Sequence, residues 1–88
     1  MLPLMEMTMK IEVLGTGCAK CNKLEQAAKA AADGLGIAYE LHHIRDINEF
    51  VKRGVMMTPA LAIDGHVVVA GRVPSEEELA TMMSSASS

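Results

Sequence analysis

Apolar and polar positions along this chain switch repeatedly between a two-residue and a 3.6-residue period, and the switches divide it into seven elements. Ile11, Val13 and Leu14 make a short buried strand, which Gly15-Thr16-Gly17 stops. A helix from Cys18 to about Asp33 follows, with Cys21, Leu24, Ala28 and Ala31 on one face and Asn22, Gln26, Lys29 and Asp33 on the other. Gly34 and Gly36 end it. Ile37 to His43 reads as a second strand. Asp46-x-x-Glu49 resembles a capping box and opens a short helix with Ile47, Phe50 and Val51 inward, ended by Gly54. Ala60–Ile63 and His66–Ala70 flank Asp64-Gly65, a two-residue hairpin signal. Gly71 breaks the last strand, and Ser75-x-x-Glu78 starts a final helix through about Met83. Residues 1–8 read as a flexible extension, with Met7 and Met9 as alternative starts. Residues 84–88 read as a disordered tail.

The order is therefore β-α-β-α-β-β-α, without a repeat or a linker. A β-α-β unit demands a parallel pair with a right-handed crossover, and the closing hairpin adds antiparallel strands. One mixed four-stranded sheet with helices on both faces accommodates all of this. At 88 residues the chain makes a single small domain, 9–83. Tyr39 and Phe50 are its only aromatic residues, so Val, Ile, Leu, Ala and Met must fill the core.

A net charge of −3 leaves no basic stripe for nucleic acid. The N-terminus lacks the charged and apolar regions of a secretory signal, and no run approaches transmembrane length. The chain reads as cytoplasmic, where a Cys-x-x-Cys pair is more often catalytic or metal-binding than structural.

Cys18-Ala19-Lys20-Cys21 holds both cysteines, at the junction of strand and helix. Residues i and i+3 share a helix face about 5–6 Å apart at Cβ. A disulfide needs about 3.8 Å, within reach of a small adjustment of the first turn. The helix N-terminus favours a thiolate over a thiol. A bridge across so short a loop adds little stability, so a structural brace is the weakest explanation. Dithiol exchange and metal binding remain.

Gly15-Thr16-Gly17-Cys18-x-x-Cys21 after the first strand, Thr58-Pro59 before the third, the Asp64-Gly65 hairpin and Gly71 before the last helix occur together in this order. With them the chain resembles the thioredoxin-fold family, in particular its small prokaryotic members of glutaredoxin size, over about residues 9–83. The resemblance implies a thiol-disulfide oxidoreductase in which Cys18 attacks and Cys21 resolves. It implies a cis Thr58–Pro59 bond beside the disulfide, with the Thr58 backbone pairing with substrate as an added strand. Gly71, having no side chain, would let the substrate backbone approach. The redox-active disulfide would be the only cofactor, and the protein would act as a monomer. Its partners would be disulfide-containing proteins and a reductase or glutathione, with no nucleic acid and no membrane.

The chain departs from familiar thioredoxins in having Gly17 before the first cysteine and Ala-Lys between the two. Lys20 adds a cation that favours ionisation of Cys18. Glu12 stands six residues before Cys18, the offset of the family's buried proton-shuttling carboxylate. The rival reading is a soft-metal, copper-type carrier, prompted by the thiolates and by eight methionines, Met56 and Met57 near Pro59 among them. Its usual element order, β-α-β-β-α-β, differs from the one read here, and methionine is a common filler in a core short of aromatics. His42, His43 and His66 lack the spacing of a zinc set, because neighbours on a strand face opposite ways.

Overall fold

A computed structural model describes residues 8–17 and 19–86. The elements are β1 (Met9–Leu14), α1 (Ala19–Leu35), β2 (Tyr39–Ile44), α2 (Ile47–Lys52), β3 (Ala60–Ile63), β4 (His66–Ala70) and α3 (Glu76–Ala86). The four strands form one sheet in the order β2-β1-β3-β4. β1 and β2 run parallel, Leu14 beside Ile44; β3 lies antiparallel to β1, and β4 antiparallel to β3. The mixed sheet and the β-α-β-α-β-β-α order are those expected from the periodicities.

Alternation along β1 divides the core. Met9, Ile11 and Val13 pack with Leu24, Ala28 and Ala31 of α1 and with Leu79 and Met83 of α3. Leu14 faces the other way, into a smaller cluster with Phe50 of α2, Val55, Ala60 and Ala62. α1 and α3 thus cover one face and α2 the other. The central strands β1 and β3 are almost wholly buried, so their loops at one end of the sheet are held on both sides.

Local chemistry fixes the joints. Asp64 and Gly65 both have positive φ (50° and 89°), as a type I′ hairpin requires, and Asp64 also accepts from the Lys10 backbone at 2.9 Å. Ser75 Oγ accepts from Glu78 N at 3.1 Å while Glu78 accepts from Ser75 N at 3.2 Å, a complete capping box. Asp46 makes only half of one: its carboxylate accepts from Asn48 N at 2.9 Å, and Glu49 turns instead to Lys52 and Arg53.

Three expectations are revised. Of the residues assigned inward on α2, only Phe50 is buried; Ile47 and Val51 are 62% and 72% exposed. A helix of six residues presents little more than one inward position to the sheet. The last helix runs to Ala86, so the first part of the expected tail is helical; residues 87–88 lie outside the described residues. The second strand starts at Tyr39, two residues later than expected, because Gly36 and Ile37 still bond back to the end of α1. The flexible extension assigned to residues 1–8 falls outside the described residues except for Thr8.

Candidate functional site

The loop after β1, the start of α1 and the turn before β3 meet at one end of the sheet. Gly15 N donates to Ile44 O at 3.0 Å, which extends the β1–β2 pairing by one step and sets the direction of the loop. The helix then places Cys21 inward, fully buried. A Cβ added to Gly15 would overlap Cys21 Sγ, approach Cys21 Cβ at 3.3 Å and lie 3.9 Å from Pro59 Cα. Glycine at 15 is thus what allows the Cys21 sulfur to sit against the loop, close to the turn that holds Pro59. Cys18 lies outside the described residues.

The Thr58–Pro59 peptide is cis. Pro59 is buried and Thr58 exposed, and Pro59 O accepts from Gly71 N at 2.8 Å. Gly71 therefore joins Pro59 and Cys21 in a single cluster. The space over Gly71 is not open, however. A Cβ there would lie 3.0, 3.2 and 3.4 Å from Met57 Cε, Cβ and Sδ. Met57, 62% exposed, thus lies over Gly71 from the outside, while its neighbour Met56 is 93% exposed.

Lys20 is exposed on the first turn of α1. Glu12 is 3% exposed but belongs to the other face of the sheet, the face of Leu14 and α2. Arg53 binds it through both guanidinium nitrogens, at 2.6 and 3.0 Å, and Lys10 stands 3.9 Å away. The Arg53 hydrogen bonds hold the Glu12 carboxyl below its ordinary range despite burial. A proton shuttle to Cys21 needs a carboxyl on the Cys21 side of the sheet and with raised affinity for a proton. Glu12 has neither, and the geometry is that of a structural ion pair.

Two residues at this end carried no signal as isolated letters. His43, opposite Val13 and so on the α1 face, places Nδ1 2.9 Å from Glu25 Oε1, one turn beyond Cys21. His42 points away and meets Glu40 at 3.1 Å. Arg45 follows the last residue of β2, and its guanidinium lies on Gly17: a Cβ at 17 would be 2.7 Å from Arg45 Nη1. The signal that reveals both is the parallel register, which carries the C-terminal end of β2 alongside the loop that leads to Cys18. No cluster of three or more His, Cys, Asp or Glu residues fit for a metal occurs among the described residues.

The comparisons with known proteins agree with this geometry. A family model described as Thioredoxin domain matches residues 9–84. The chain is 41% identical over 76 residues to a protein named Thioredoxin from Methanothermobacter thermautotrophicus, covering 86% of this chain and 99% of that one. It is also 41% identical over 69 residues to a Thioredoxin from Methanocaldococcus jannaschii, covering 78% of this chain and 79% of the relative.

Proposed function

The chain belongs to the thioredoxin family, a family of thiol-disulfide oxidoreductases, and on that footing we propose that Cys18 and Cys21 are its dithiol/disulfide couple. The observation that carries this reading is the convergence of Gly15, Cys21 and Pro59. It buries the Cys21 sulfur beside the turn that precedes β3. That burial suits a sulfur that meets only its neighbour in sequence, which leaves Cys18 as the one to meet substrate.

Reduced Cys18, as thiolate, attacks one sulfur of a target disulfide, and the other target sulfur leaves as a thiolate. Cys21 then loses its proton and attacks the Cys18 sulfur. The second target sulfur leaves, and the protein, having given up two electrons, holds the Cys18–Cys21 bridge. A reductase of the thioredoxin-reductase kind, or glutathione, returns the two electrons. The target's extended backbone lies along exposed Thr58. Its approach to Gly71 requires Met57 to swing aside or to serve as the surface on which the target rests. Met56 and Met57 provide adaptable apolar contact for disulfide-bearing protein targets of differing sequence. No helix among the described residues is long and apolar enough to cross a membrane. We assign the activity to a monomer in the cytoplasm.

Two variants test the roles of the cysteines. Cys18→Ser abolishes turnover of a model disulfide, whereas Cys21→Ser accumulates a mixed disulfide through Cys18, located by peptide mass mapping. A trapped adduct on Cys21 would reverse the assignment. The element order, which ends in a hairpin and a helix, counts against the soft-metal alternative. A redox titration with mass-tag alkylation decides what is left. A reversible two-electron bridge between about −200 and −270 mV places the protein among the family's reductants. Thiols shielded by a co-purifying soft metal would bring the carrier back.

A further inference from the structure

On the dithiol reading above, on which this inference rests, we propose that Met57 is the specificity-determining residue of the site. It closes the seat over the Gly71 backbone and offers its thioether as the rest for an apolar side chain beside the target's reacting cysteine. Of the two courses open to a target, displacing Met57 or lying on it, the contacts favour the second. A Cβ at Gly71 would meet Met57 along its length, 3.0 Å from Cε, 3.2 Å from Cβ and 3.4 Å from Sδ. Carbon atoms rest about 3.5–4.0 Å apart, so the space above Gly71 is already filled. Rotation of the side chain carries Sδ and Cε away, but Cβ is fixed by the Met57 backbone and stays. Gly71 has φ of +85°, and the side chain it lacks makes room for Met57 rather than for a target.

What a target meets instead is the outer side of Met57. The residue is 62% exposed, so its contact with Gly71 leaves the rest of the thioether to solvent. Its place is that of a residue flanking the reaction. Gly71 N bonds to Pro59 O at 2.8 Å, and a Cβ at Gly15 would lie 3.9 Å from Pro59 Cα while overlapping Cys21 Sγ. Met57 is therefore one contact and one hydrogen bond away from the turn that borders the buried sulfur. Away from that sulfur the surface stays apolar: exposed Met56 lines a hollow together with Val51, Gly54 and Val55. None of these side chains carries a hydrogen-bonding group or a charge. An unbranched thioether adapts to apolar shapes of differing outline, whereas a polar target residue pressed against it loses water and gains no partner. The substrate class that fits is a protein disulfide with an apolar residue next to the cysteine attacked.

The test uses two cyclic disulfide peptides that differ only in the residues flanking their cysteines, leucine in one and serine in the other. Rate constants for their reduction are measured with reduced wild type, Met57→Ser and Met57→Leu, each divided by the rate at which dithiothreitol reduces the same peptide. The readout is the ratio between the two peptides on one preparation, which cancels any loss of active protein in a variant. Wild type is expected to prefer the leucine peptide by about tenfold, the low end of what one apolar contact is worth. Met57→Ser should lower that preference to about twofold or less, and Met57→Leu should keep it, which a merely structural role for Met57 would not predict. Faster reduction of both peptides by Met57→Ser would overturn the proposal, since Met57 would then be an obstacle that targets push aside. A preference absent in wild type, or unchanged in Met57→Ser, would overturn it as well and leave the dithiol couple standing. Failure of wild type to reduce either peptide would sink the dithiol reading itself, and this inference with it.

Discussion

A methyl group at position 15 would overlap the sulfur of Cys21, although the backbone there is one any residue can adopt. The cost of Gly15→Ala is therefore steric. We expect it to destabilise the fold by about 1–3 kcal/mol, as overpacking of a closed core does, and to expose Cys21 to alkylation. Urea unfolding and thiol accessibility measure the two effects together. Arg53→Met has a different cause: it leaves Glu12 buried without its bidentate partner. We expect a loss of about 3 kcal/mol, at the low end for a broken buried pair because Arg53 is itself 25% exposed. The pair also sets a pH dependence. Arg53 holds the folded-state pKa of Glu12 below its ordinary 4.5, so the stabilisation is complete above that value and is lost as the pH falls through the folded pKa. Glu12→Gln should flatten this acid limb of stability, read by denaturant titration between pH 2 and 6. At this scale the sequence disclosed which residues could react but not what surrounds them. Glu12 and Arg53 are 41 positions apart, and the distance from Arg45 to Gly17 is bridged only by the strand register.

Helix ends and turns were the most legible parts of the elements, because their chemistry is local. Ser75-x-x-Glu78 and Asp64-Gly65 each needed only a few adjacent residues to specify their geometry, and both formed as read. Ser75→Ala is expected to cost about 1 kcal/mol and to loosen the first turn of α3, seen as faster amide exchange at Glu78. The inward set of α2 was misread for the opposite reason. Period alone marks Ile47, Phe50 and Val51 as one face, yet how much of that face meets the sheet depends on the length and tilt of the helix. With Ile47 and Val51 exposed, Val51→Lys should leave stability within about 0.5 kcal/mol of wild type, by the same urea assay. A loss comparable to a core truncation would mean that α2 sits deeper than its burial pattern implies.

The architecture of the whole molecule followed from the order of the elements, since a β-α-β start and a hairpin close leave few ways to build one sheet. The order of strands across that sheet has a consequence for synthesis. β1 is complete within the first fourteen residues, but its second neighbour, β3, begins only at Ala60. Cys21 packs against Gly15 at the end of the sheet where Pro59 also lies, and Pro59 emerges from the ribosome roughly 40 residues after it. At about 5–20 residues per second, that interval is on the order of 2–8 s. Throughout it the sulfur that is sealed in the finished protein is open to whatever thiols and oxidants surround the nascent chain. A cell that makes this protein must therefore keep its site of translation reducing, or accept a fraction of chains modified at Cys21 before the fold closes around it.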